Sequence, residues 1–214
     1  VRVVVTGAAG QTGRLVVHHL VQAGHDVAGV VRRPDQAEAL GHAGASARLA
    51  DLTELAPTEL VELMRDVDAV VWAAGSGYGA DPSVLDGDAC IAAQRAADEA
   101  GVARWVQVSS MFADQPDHGP TFLQAVLAAK NRSDSALQSS GLGWTIIRPG
   151  GLTDDGPTGL VEVGTGLRGG FVPRADVAEV AARCLDEPAT ARRAFDLVAG
   201  GSPVGAALAG LAFA

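Results

Sequence analysis

Apolar residues in this chain gather in short dense runs, and the stretches between the runs repeat with a helical period. The runs Val1–Val5, Asp26–Val31, Ser46–Ala50, Ala69–Ala73, Trp105–Val108, Trp144–Ile147 and Ala194–Val198 predict strands, about seven in all. Several are apolar at successive positions, not at every second one, which suits a sheet covered on both faces. Helical periods fall at Thr12–Ala23, Pro57–Met64, Asp86–Ala100, Thr121–Ser139 and Ala175–Leu185, with a short one near Val204–Leu211. Strands and helices alternating in this order imply right-handed crossovers. The expected fold class is α/β: a doubly wound, mostly parallel sheet in a single domain over residues 1–214.

Turn residues agree with these boundaries. Ala23-Gly24-His25, Ala100-Gly101 and Ser140-Gly141-Leu142-Gly143 end helices with the residue that accepts positive φ. Asp176 stands where it could cap a late helix. Asp154 to Gly170 is rich in Gly, Thr and Asp and weakly patterned, so residues 151–172 read as a long substrate-side loop above the sheet.

Composition narrows the partners. A formal net charge of -9 with no basic stripe argues against nucleic acid, and 4% aromatic residues leave little surface for stacking bases. No run of eighteen apolar residues and no leader before the first strand is present, so no membrane partner is expected. Cys90 and Cys184 fit no metal spacing and lie in apolar helical patterns, as buried thiols of a cytoplasmic protein would. No metal site is expected. The small-residue helix Asp86–Ala100 leaves a monomer or a homodimer open.

The chemistry should gather where strands end, because ligands of open α/β sheets sit outside the carboxyl ends of the strands. The first strand runs into Thr6-Gly7-Ala8-Ala9-Gly10-Gln11-Thr12-Gly13-Arg14 and then a helix. Gly7 permits a sharp exit, Gly10 lets backbone approach a pyrophosphate, and Gly13 lets the helix pack on the strand. Ala9, Gln11 and Thr12 complete the turn, and the helix N-terminus faces the phosphates. The spacing is G-x-x-G-x-x-G, so the strand-to-helix context carries the reading, and a ligand-free βα turn is the alternative.

About twenty residues past the third glycine, where NAD-binding chains carry an acid, stand Arg32 and Arg33. Guanidinium groups there would pair with a 2′-phosphate, joined by Arg14, which favours NADP(H) over NAD(H). A solvated surface pair is the other possibility. Asp51 could accept from an adenine amino group with Leu52 against the ring, or simply shape a turn. Ala73, Ala74 and Gly75 are small enough for a dinucleotide to cross the fourth strand's end. Tyr78, the one tyrosine, could donate a proton or cover a neighbouring surface.

Ser110, with Ser109 second, could bond a substrate carbonyl or the nicotinamide carboxamide, or bond only backbone. Lys130 could hold the nicotinamide ribose or be a solvated helix lysine. Pro149 and Gly150 shape a turn against the nicotinamide end, and His118 is a loop histidine that could act as an acid or be merely exposed.

These stretches, with Thr145-Ile146-Ile147-Arg148-Pro149-Gly150 and Arg174-Ala175-Asp176-Val177-Ala178, resemble the atypical short-chain dehydrogenase/reductase group of NAD(P)-binding proteins, including its NmrA-like and flavin/biliverdin reductase-like branches. The resemblance covers nearly the whole chain and implies a Rossmann fold and a nicotinamide coenzyme. It departs in one place. The group's usual catalytic pair is Tyr-x-x-x-Lys, and with Lys130 as the lysine the tyrosine position holds Val126.

The resemblance therefore implies an NADPH-dependent reductase that passes hydride to a small conjugated acceptor such as a flavin, quinone or enone. Ser110 would orient the acceptor, Lys130 would serve the ribose, and a proton would come from solvent or from Tyr78. A non-catalytic NADP(H)-binding sensor or partner-binding module is the alternative. A nucleotide-sugar epimerase or dehydratase is a weaker one, for which the chain is short.

Overall fold

The structure, a computed structural model, describes residues 1–77 and 79–213. Tyr78 therefore lies outside the described residues. The expected strands all form, within a residue or two of their predicted ends: β1 (Arg2–Thr6), β2 (Asp26–Val31), β3 (Ser46–Leu49), β4 (Ala69–Trp72), β5 (Arg104–Val108), β6 (Gly143–Pro149), and a late strand, Arg193–Ala199. Between β6 and that late strand lie β7 (Gly151–Thr153), β8 (Leu160–Gly164) and β9 (Phe171–Pro173), so the late strand is β10, followed by β11 (Ser202–Pro203).

The main sheet has the order β11-β8-β10-β6-β5-β4-β1-β2-β3, and β7 pairs with β9 in a small separate ribbon. From β3 across to β10 every pairing is parallel; β8 runs antiparallel to β10 and β11 antiparallel to β8. The expected long loop over residues 151–172 is thus corrected. Leu160–Gly164 is a sheet strand, with Val161 fully buried against the core. The segment is held at its base by Asp176. That carboxylate is fully buried and accepts from the Thr158 and Gly159 amides at 3.0 and 2.9 Å and from the Thr158 hydroxyl at 2.7 Å. The expectation that Asp176 caps its helix is thereby corrected: the helix begins at Arg174, and the Asp176 oxygens serve a neighbouring segment.

Seven helices cover the sheet among the described residues: α1 (Gly13–Gln22), α2 (Pro34–His42), α3 (Pro57–Leu63), α4 (Cys90–Glu99), α5 (Gln124–Gln138), α6 (Arg174–Arg183) and α7 (Val204–Gly210). One apolar layer joins Val3, Val5, Val106 and Ile147 to Val16, Leu20, Val177 and Leu208 of α1, α6 and α7. The other joins Val4, Val70, Trp105 and Ile146 to Leu60, Ala93 and Leu137 of α3, α4 and α5. Successive strand positions feed opposite layers, which explains the unbroken apolar runs. Cys90 and Cys184 are free and buried, as expected.

Two helical elements also differ from the sequence expectation. The helix at α2 was not foreseen, although Pro34 at its first turn and Asp35 beside it suit a helix start. The helix predicted from Asp86 begins at Ser83 with a wide π-type turn, Ser83–Ala89, before tightening into α4. Wide turns of this kind recur at functional sites.

Candidate functional site

Strand order reverses between β1 and β4, so the chains leaving these two strands diverge and open a crevice at the sheet's carboxyl edge. Gly7 stands there with φ 65°, and a Cβ on it would lie 2.7 Å from the Ala74 Cα. A Cβ on Gly13 would lie 2.1 Å from the Gly7 carbonyl oxygen, so α1 can approach the turn only because position 13 is bare. The Gly10 amide donates to the Gly7 oxygen at 2.8 Å and Arg14 donates to the Gly10 oxygen at 3.0 Å, which closes the turn. What remains at the mouth of α1 is bare backbone and the positive end of a helix dipole, a surface suited to an anionic group.

The crevice encloses about 310 Å³ and brings together Gly7, Ala9 and Gly10 of the turn, Arg32 after β2, Asp51 and Leu52 after β3, and Ala73, Ala74 and Gly75 after β4. Asp51 accepts from the Thr53 amide at 3.0 Å and the Thr53 hydroxyl at 2.7 Å, and these bonds, more than Arg32, hold its carboxyl below the usual range. Its second oxygen lies 3.9 Å from the Arg32 guanidinium. Gln36 closes the turn after β2, its Oε1 accepting from the Arg32 and Arg33 amides at 3.1 Å each.

The two arginines part at this point. Arg32 lines the crevice, while Arg33 lines a neighbouring hollow of about 260 Å³ together with Arg14. Asp35 takes the Arg33 guanidinium through two bonds of 3.0 Å, which raises the arginine's proton affinity further. Gln11, Thr12 and Gly13 flank the crevice at the start of α1 and are not part of its lining.

Beyond Gly75 the polar groups are engaged with one another. Ser109 is buried, and its hydroxyl donates to Asp134 at 2.9 Å. Asp134, 2% exposed, also accepts from Gln107 at 2.8 Å and faces the Arg148 Nε at 3.3 Å. Burial pushes its carboxyl up even against that guanidinium. Arg148 reaches on to Asp114 at 3.0 Å, tying the segment after β5 to the end of β6. Ser110 is only half-buried, and its hydroxyl has one long bond, 3.3 Å to the Met111 oxygen.

Lys130 lies 2.9 Å from Asp86 Oδ1 and donates to the Val108 oxygen at 3.3 Å. Val126 occupies the same face of α5 one turn earlier and is half-buried. Pro149 and Gly150 hold backbone in place: the Pro149 oxygen accepts from Met111 at 2.9 Å, and a Cβ on Gly150 would lie 2.4 Å from the Gly170 oxygen. His118 is exposed. Asp86, Asp134 and Arg148 were not foreseen as site residues. The signal for Asp134 was its spacing of one helical turn from Lys130.

A family model described as NAD(P)H-binding matches residues 7–188. The chain is 39% identical to the uncharacterized sugar epimerase YhfK of Bacillus subtilis, over 97% of this chain and 98% of that protein. A putative NAD-dependent epimerase/dehydratase from Bacillus halodurans superposes with a TM-score of 0.90 at 33% identity, covering 97% of this chain and 98% of its own. ChuY, described as an anaerobillin reductase from Escherichia coli O157:H7, superposes with a TM-score of 0.81 at 25% identity, covering 93% and 97%.

Proposed function

The chain belongs to the NAD(P)H-binding family of Rossmann oxidoreductases, and from that premise we propose that it is an NADPH-dependent reductase acting on a conjugated acceptor. The observation that carries the reading is the crevice at the β1/β4 reversal, floored by a turn in which Gly7 and Gly13 leave no room for a side chain and walled by Arg32. Such a surface fits a dinucleotide: pyrophosphate at the mouth of α1, adenine between Leu52 and the chain after β4, and a 2′-phosphate toward Arg32. When bound, the coenzyme supplies hydride.

The protein's own residues bind and orient. Arg32 is the main source of preference for the 2′-phosphate, because Arg33 is already committed to Asp35. The nearby Asp51 carboxylate opposes it, at 3.9 Å from the same guanidinium. Lys130 holds the ribose on the nicotinamide side. Ser110, whose hydroxyl is weakly engaged, orients the acceptor. With an aliphatic side chain at Val126, no tyrosine on α5 moves a proton, so acceptors that need little acid catalysis are favoured. ChuY is described as a reductase, and this reading extends that type of reaction here.

The test is oxidation of NADPH with a panel of flavins, quinones and enones. Steady turnover with at least one acceptor, faster than with NADH, supports the reading, and saturable NADPH binding without turnover would replace it with a sensor. One observation favours that second reading: Ser109 and Arg148, at the end where the acceptor would lie, are engaged with Asp134 and Asp114.

A further inference from the structure

We infer that Asp86 is a positioning residue acting through Lys130: it fixes the lysine's ammonium beside the end of β5 and thereby sets the grip on the nicotinamide half of the coenzyme. The inference rests on the coenzyme reading above. Asp86 is 2% exposed and sits in the π-wound turn that precedes α4. Its two oxygens reach different elements. Oδ1 lies 2.9 Å from Lys130 Nζ of α5, and Oδ2 accepts from the Ser76 amide, on the chain leaving β4, at 2.8 Å. Lys130 Nζ in turn meets the Val108 oxygen at the end of β5, 3.3 Å away.

One carboxylate therefore gathers the chains leaving β4 and β5 and the face of α5. The pair adjoins the crevice. A Cβ on Gly75, which lines it, would lie 3.4 Å from Asp86 Oδ1. A dinucleotide with its pyrophosphate at the glycine turn and its adenine toward β3 extends in this direction.

Lysine is a poor positioner by itself, since its ammonium is a mobile point charge on a flexible stem. Here the stem is largely buried, with 14% of the side chain exposed, and the ammonium is held between an ion pair to Asp86 Oδ1 at 2.9 Å and a hydrogen bond to the Val108 oxygen at 3.3 Å. With three donors, the ammonium keeps capacity for a ligand hydroxyl. Burial opposes ionisation of Asp86, but the Lys130 charge and the Ser76 amide outweigh it, so the carboxylate is available as the counter-charge.

The experiment compares two probes on the full chain by calorimetry: NADP⁺, and adenosine 2′,5′-bisphosphate, which carries only the adenosine half. Asp86→Asn should weaken NADP⁺ about tenfold, the worth of one hydrogen bond to a charged group, and leave the bisphosphate within about twofold. Lys130→Gln should do the same, and the double variant should lose about tenfold, not the hundredfold of independent effects. Should Asp86→Asn not fold, Asp86→Glu keeps the charge and displaces the ammonium, and its loss should again fall on NADP⁺ alone. An unchanged NADP⁺ affinity, an equal loss for both probes, or additive losses in the double variant would overturn the inference and leave the pair a staple of the fold. A wild-type chain that binds neither probe would overturn the coenzyme reading itself, and this inference with it.

Discussion

The two halves of the carboxyl edge are built on opposite plans. On the side of β1, β2 and β3 the chain presents bare backbone, small residues and an exposed guanidinium around an open crevice. On the side of β5 and β6 the polar groups, all but Asp114 largely buried, answer one another: Lys130 to Asp86, Ser109 to Asp134, Arg148 to Asp134 and Asp114. On the proposed reading the first half binds the coenzyme, while the second holds its own side chains still. Rigid pairs of this kind keep a binding constellation from relaxing, and they leave few groups free to move protons.

The contrast breaks most visibly at the open half. Gly13→Val puts atoms where the Gly7 oxygen stands, so NADP⁺ affinity should fall roughly a hundredfold or more. Calorimetry with a parallel melting curve checks this, and retained affinity in a folded variant would remove the glycine turn from the site.

Next in size is coenzyme choice. Arg32→Glu should weaken NADPH about a hundredfold and NADH only about threefold, while Arg33→Glu should cost NADPH less than Arg32→Glu does. Titrations of both coenzymes against both variants decide it, and equal losses for NADPH and NADH would withdraw the 2′-phosphate assignment.

The two serines sharpen the contrast inside the closed half. Ser110→Ala should lower kcat about tenfold with an accepted acceptor, whereas Ser109→Ala should mainly lower Tm, because it removes a donor from buried Asp134. The reverse outcome would exchange their roles.

The smallest effect is on acid stability. Asp86 has its carboxyl held below the ordinary 3.8, so its stabilisation is in place above that value and is lost as pH falls through the lower folded value. Asp134 is shifted upward by burial, so its contribution weakens as pH rises from 3.8 toward the folded value. Between about pH 5 and pH 3 the Tm of Asp86→Asn/Lys130→Gln should fall less steeply than that of the wild type, by a few degrees. Parallel curves would show that the ion pair adds no acid-sensitive stability.

The open half was the more legible in the sequence. Gly7, Gly10 and Gly13 lie within one turn, so local geometry alone announces them. The sequence leaves Asp51 open between a turn and a ligand group; its bonds to Thr53 make the turn, and its other oxygen lies 3.9 Å from the Arg32 guanidinium. By sequence alone Arg33 has the same standing as Arg32, although Asp35 two residues on offers it a partner.

The closed half was hidden because its partners are distant along the chain. Nothing near Lys130 points to Asp86, and only the packing of α5 against the turn before α4 joins them. Leu160–Gly164 escaped for a similar reason: its short Leu-Val-Glu-Val-Gly pattern becomes a strand only against β10.

The most direct test is a crystal structure with NADP⁺. It should show the pyrophosphate over the glycine turn, the 2′-phosphate at Arg32, and the nicotinamide ribose within hydrogen-bond reach of Lys130. A coenzyme seated elsewhere, for instance in the hollow between α1, α6 and α7 near His19 and Arg183, would contradict the account.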